Sequence, residues 1–244
     1  MKMLSSLRNR LGAAAFAAGA LAPMGTVKDA PVRVTRADVQ WSNQKVAVAY
    51  SALVDMWRKD FNAIGERFVA PRIVRYTGPV RTACGYMSPD NAQYCQAANA
   101  IYYDEVFVAG MAKMAARQLG TDGDMTGIGI IAHETGHAVA MQLGHRSRNS
   151  YENESTADCL AGAFAFQSQR DHLLEDGDME EAVFGMESAG DPAPEATGDE
   201  RYDAMLARRM ATQGHGTKEQ RVENFEDGAQ GGAGACLDEF RSLR

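Results

Sequence analysis

The sequence predicts an α+β fold that is mainly helical. Three observations point there. Apolar residues recur at helical spacing through most of the chain, and only two short runs, 72–76 and 99–103, are rich in β-branched and aromatic residues. Hydrophobic residues make up 45% of the 244, enough for a packed core and too many for a disordered chain.

Residues 1–10 carry Lys2, Arg8 and Arg10, and residues 11–22 (LGAAAFAAGALA) are uncharged and mostly apolar. Such a run is too short for a membrane-spanning helix, which needs about 20 residues. It suits the core of a signal peptide cut near residue 20, with an uncleaved membrane anchor as the alternative. The expected location is therefore exported, periplasmic or extracellular. Residues 23–43 are polar and without periodicity, and read as a lead-in.

The first predicted helix covers 44–67, with Val46, Ala49, Leu53, Trp57, Phe61 and Ile64 on one face. The runs 72–76 and 99–103 flank a turn-rich segment and are expected to pair in a small sheet. An extended peptide could add to the Ile101–Tyr103 strand. A helix over 104–119 starts with Asp104 and Glu105, which suit the positive end of its dipole, and stops at Gly120. Helices are also expected over 126–143, ending at Gly144, and over 152–170, 178–189, 198–213 and 217–228. Residues 44–244 read as one domain. Within it, 171–203 holds twelve acidic residues against one basic residue, Arg201, and reads as a solvated acidic insertion. It lacks the Asp/Asn/Gly ladder of an EF-hand.

The net charge of −7 excludes a nucleic-acid backbone as the expected partner, since phosphate binding needs clustered Lys and Arg. Four cysteines allow three pairings. Proximity favours Cys84 with Cys95 across a turn-rich loop, which leaves Cys159 with Cys236. The second bond would close a long loop, worth about 4 kcal/mol in the chain-entropy account. Four free or buried thiols are the alternative.

The chain has only five histidines, and two of them frame the motif His133-Glu134-Thr135-Gly136-His137. Apolar residues on both sides place it on a helix. Four residues are just over one turn, so both imidazoles share a face and can hold one zinc ion. Glu134 then lies beside the metal, where it can take a proton from water. A zinc hydrolase needs a third protein ligand and an open position. Glu154 follows His137 by seventeen residues, and Asp158 lies one turn further on. Glu154 is the expected third ligand, and Asp158 the acceptor that fixes a ligand histidine's tautomer. Glu152 is the rival ligand, without an acid four residues on. His215 precedes a helix capped by Thr217. It is a candidate donor to the oxyanion of a tetrahedral intermediate, with Arg221 reinforcing it. His145 and His172 fit no such pattern and read as structural or surface residues.

These residues resemble a known family, the bacterial neutral zinc metallopeptidases, relatives of the gluzincins. The matching stretches are TACG at 82–85, YC at 94–95, IYYD at 101–104, AHETGH at 132–137, ESTADCLAG at 154–162, LEDGD at 174–178, HGTKEQRVENF at 215–225 and CLDEF at 236–240. The resemblance implies a gluzincin-like catalytic core with a small sheet, one zinc ion and peptidase activity on peptide or protein substrates. It implies His133, His137 and Glu154 as ligands and Glu134 as base. The chain is also similar to membrane gluzincins of the prenyl-protein-processing type, in which a His and an Arg six apart follow the third-ligand helix, as His215 and Arg221 do here. Two other classes compete: a non-catalytic zinc-binding envelope protein, and a chaperone-like module using the acidic stretch. Metal content separates them.

Overall fold

A computed structural model describes residues 32–192, 195–210 and 212–243; the signal expected at 1–22 lies outside the described residues. Helix α1 runs Arg36–Ala63, so it begins well inside the expected lead-in. The reason is a capping box. The Thr35 hydroxyl accepts the Asp38 N–H at 3.3 Å, and the Asp38 carboxylate accepts the Thr35 N–H at 2.7 Å. The apolar residues of its first two turns, Ala37, Val39 and Trp41, alternate, which hid them from a reading based on helical period. Asp38 also takes the Lys113 ammonium at 2.6 Å, and that bond, followed by the two from Thr35, lowers its pKa to about 2.

Beyond α1 come β1 (Arg72–Tyr76), the hairpin β2 (Val80–Thr82) and β3 (Gly85–Met87), β4 (Ala92–Cys95) and β5 (Ala100–Asp104). The three-stranded sheet has the order β1-β5-β4, with β1 parallel and β4 antiparallel to β5. The two sequence-predicted strands do pair. However, β5 is central, so both of its edges are taken and no peptide can add to Ile101–Tyr103. The edge beside the helices is β4. A disulfide, Cys84–Cys95, ties the hairpin to the end of β4.

The remaining helices are α2 (Glu105–Leu119), α3 (Asp124–Gln142), α4 (Ser150–Arg170), α5 (Asp178–Ser188), α6 (Glu200–Met210), α7 (Lys218–Gly231) and the short α8 (Ala233–Cys236). Leu53, Trp57 and Phe61 of α1 join Leu160, Phe225 and Phe240 in the main core. Trp57 and Phe61 lie 5.7 and 5.8 Å from the Phe240 ring. Full burial of each such side chain contributes roughly 2–3 kcal/mol. A second cluster, Val46, Ile101, Tyr103, Val108 and Ile131, joins the sheet to the helices.

Helices α4 and α7 touch backbone to backbone. A Cβ on Gly162 would lie 1.9 Å from the Phe225 carbonyl oxygen, and one on Gly228 would lie 1.8 Å from that of Cys159. The disulfide Cys159–Cys236 staples the same helices through α8. Gly228→Ala must therefore push α7 off α4, and is expected to cost about 3 kcal/mol or more in urea unfolding. An unchanged midpoint would show that the helices separate freely.

The acidic stretch is not one solvated insertion. Its middle is α5, whose Ala182 and Met186 lie in the main core. Glu181 is fully buried and caps α3, accepting the N–H groups of Gly123 and Met125 at 2.8 Å each. Four helix N-terminal amides need acceptors, and a carboxylate there also opposes the helix dipole. Asp178 is buried in the same corner. Burial first, then its backbone bond and the nearby charges of Asp124 and Glu181, set its pKa, which rises from 3.8 to about 6. The folded chain thus holds this proton more tightly than the unfolded chain. The group costs stability above pH 6, and the cost is released as pH falls toward 4. Asp178→Asn is expected to gain about 1 kcal/mol at pH 7.5 and nothing at pH 4, read from urea midpoints at both pH values. Helix α6, by contrast, has no buried residue.

Candidate metal centre

The centre forms where α3 crosses α4. Helix α3 is apolar on nearly all sides and runs through the core, which explains the flanking sequence of the motif. His133 and His137 share one face, with ring centroids 4.7 Å apart. Gly136 faces α4 between them, and a Cβ there would sit 2.9 Å from the Ala157 carbonyl oxygen. The missing side chain lets the two helices approach, and α4 delivers Glu154 to the histidines. Glu154 Oε2 lies 3.2 Å from His133 Nε2 and 3.7 Å from His137 Nε2.

Those distances can be tested against a metal. Four ligands at about 2.0–2.1 Å around zinc stand about 3.4 Å from one another. Glu154's distances to the two imidazole nitrogens bracket that spacing, and the two-imidazole, one-carboxylate set suits zinc chemically. Among the described residues this group has three ligating side chains, which leaves a fourth position open.

The support beneath the ligands is fully buried. Asp158 accepts the His133 Nδ1–H at 2.7 Å. Arg221 grips Asp158 with both arms, Nε to Oδ2 at 3.0 Å and Nη2 to Oδ1 at 2.6 Å, and donates Nη1–H to the Ala189 carbonyl at 3.2 Å. Burial opposes a proton on His133, but the charge and hydrogen bond of Asp158, then Glu154, outweigh it and raise the pKa to about 10. For Glu154 burial pulls the opposite way, yet the bonds from His133 and His137 hold its carboxyl well below the usual range.

Glu134 is buried, and its Oε2 accepts the Tyr94 N–H of β4 at 2.6 Å. The edge strand thus meets the metal group through this carboxylate. His133, Glu134, His137, Glu154 and Arg221 border a cleft of about 650 Å³.

A family model described as "Putative neutral zinc metallopeptidase" matches residues 21–240. The chain belongs to this family. It is similar to the "Uncharacterized protein YpfJ" of Escherichia coli K12, at 31% identity over 221 residues, covering 81% of this chain and 73% of the relative. The same-named protein of Escherichia coli O6:H1 strain CFT073 matches equally. No solved structure matches.

His133, His137 and Glu154, the ligand set expected from the sequence, come together in the structure. Glu152, the rival ligand, is bound to Arg148 at the end of α4. Arg221 lines the cleft, but its guanidinium is spent on Asp158 and Ala189. His215 does border the cleft and is more than half exposed. One cleft residue, His145, has no pattern in the sequence that marks it. It follows Gly144, past the end of α3 at Gln142, and its Nε2 is buried without a hydrogen-bond partner among the described residues. Asp191 pairs with His215, and nothing local to its sequence marks it.

Proposed function

We propose that this member of the family is a zinc-dependent peptidase. The convergence of His133, His137 and Glu154 beside an unligated buried carboxylate, Glu134, carries the reading. A structural zinc site is usually closed by four protein ligands, and three favour a catalytic one. Zinc bound there would polarise a scissile carbonyl and make a water acidic near pH 7. Glu134 would be the base that takes a proton from the attacking water and returns it to the departing amine. His215 offers an N–H to the carbonyl oxygen as it gains charge. The free edge of β4 runs into the Glu134 carboxylate, and an extended peptide can lie along it by main-chain pairing. This replaces the Ile101–Tyr103 edge as the docking strand. The partner is a peptide segment and not a nucleic acid, in keeping with the negative charge.

Two disulfides suit an oxidising, exported compartment. No helix among the described residues is long and apolar enough to cross a membrane.

The test is zinc content per chain by elemental analysis, paired with digestion of a proteome-derived peptide library. One zinc per chain is expected, with cleavage that a chelator removes and zinc restores. One zinc without cleavage would leave a non-catalytic zinc module. A chain without affinity for zinc would end both readings.

A further inference from the structure

Asp191 and His215 stand 24 residues apart and are clasped together, with His215 on the lining of the cleft. Asp191 Oδ2 accepts the main-chain N–H of His215 at 2.7 Å. The Asp191 N–H in turn donates to the Gly216 carbonyl at 2.8 Å, and Asp191 bridges Thr217 in parallel. The ring is a different matter. His215 Nδ1 lies 3.5 Å from Asp191 Oδ1, long for a hydrogen bond. The carboxylate therefore grips the main chain that carries His215, and only neighbours the imidazole.

The turn is built around this grip. Gly214 has φ +116°, and a Cβ there would lie 2.5 Å from Asp191 Oδ2. Only glycine allows that backbone and that approach together. On the other side, Thr217 and Gln220 form a capping box that starts α7, and one turn later Arg221 is locked to Asp158. His215 thus sits between two anchors, Asp191 before it and α7 after it. Among the described residues, no hydrogen bond holds the imidazole itself.

The clasp has a second consequence. Between Asp191 and His215 the chain makes an excursion that includes α6, a helix with no buried residue. Asp191 and His215 stand at its two ends, so the clasp closes the excursion where His215 begins.

We propose that Asp191 is a positioning residue, which holds His215 at the cleft. This rests on the reading of His215 as the donor to the charged carbonyl oxygen. A donor is useful only where the charge develops, so preorganisation is the whole of its contribution.

The experiment uses the full zinc-loaded chain and a peptide that it cleaves. Asp191→Ala is expected to lower kcat about 10–100-fold while KM stays within about twofold and zinc stays at one per chain. Asp191→Asn, whose amide oxygen still accepts the His215 N–H, is expected to restore most of the rate, which general destabilisation of the turn would not allow. In a His215→Ala background, Asp191→Ala is expected to add nothing. A wild-type kcat for Asp191→Ala, equal losses for Ala and Asn, or additive losses in the double variant would each overturn the proposal. Hydrogen exchange at the His215 amide gives an arm without catalysis. It should be slow in wild type and Asp191→Asn, and at least about tenfold faster in Asp191→Ala, with or without zinc. If the wild-type chain cleaves no peptide, the peptidase reading fails. The exchange result then decides the clasp alone: fast exchange in wild type, or slow exchange in Asp191→Ala, sinks it.

Discussion

Glu134→Gln is expected to keep one zinc per chain and to lose peptide hydrolysis by about 10²–10⁴-fold. The substitution changes one oxygen for an amide nitrogen and little else. Glu134 is not among the three convergent ligands, so the metal-binding set is intact. Its contact to β4 is also preserved, because a glutamine side-chain oxygen still accepts the Tyr94 N–H. What is lost is basicity: an amide cannot carry a proton from water to a leaving amine. The expected signature is a fall in kcat with KM and zinc stoichiometry nearly unchanged. A variant that lost zinc would make Glu134 part of the metal's support. A variant that cleaved at the wild-type rate would place the proton transfer elsewhere.

The parts of this site that were legible in the sequence are those set by one helix. His133 and His137 are a turn apart on α3, and Glu154 and Asp158 are a turn apart on α4, so period alone aligns each pair. How the two helices meet is not periodic information. It depends on Gly136, whose missing side chain looks unremarkable in a string of residues. Arg221 is further removed. Its bond to Asp158 spans 63 residues and exists because Gly162 and Gly228 bring α4 and α7 into backbone contact. Sequence spacing put Arg221 beside His215, and packing turned its side chain inward. The sheet shows the same limit. Both strands were visible in their composition, but composition does not say which strand is central, and that decides where a peptide can dock. Charge misled in one place. Acidic residues usually face water, whereas Glu181 is buried because the N-terminus of α3 needs an acceptor.

Arg221→Met is expected to cost about 3–5 kcal/mol of stability and to weaken zinc binding about 10–100-fold. Both losses come from Asp158. It is fully buried, and removing the guanidinium strands its charge with only the His133 imidazole for a partner. The two effects have different origins and can be separated. In Asp158→Leu/Arg221→Met neither buried charge remains, and apolar replacement of a buried pair is often neutral for folding. Most of the stability should therefore return. The zinc affinity should not, because His133 Nδ1 has lost the acceptor that holds its ring and keeps Nε2 turned to the metal. Urea midpoints and competition with a zinc chelator measure the two quantities independently. If the double variant bound zinc as tightly as wild type, Asp158 would be a partner for Arg221 only. The ion pair would then be a packing device between α4 and α7, with no hold on the metal site. If zinc affinity stays low while stability recovers, the chain from α7 through Arg221 and Asp158 to His133 is what keeps the ligand in place.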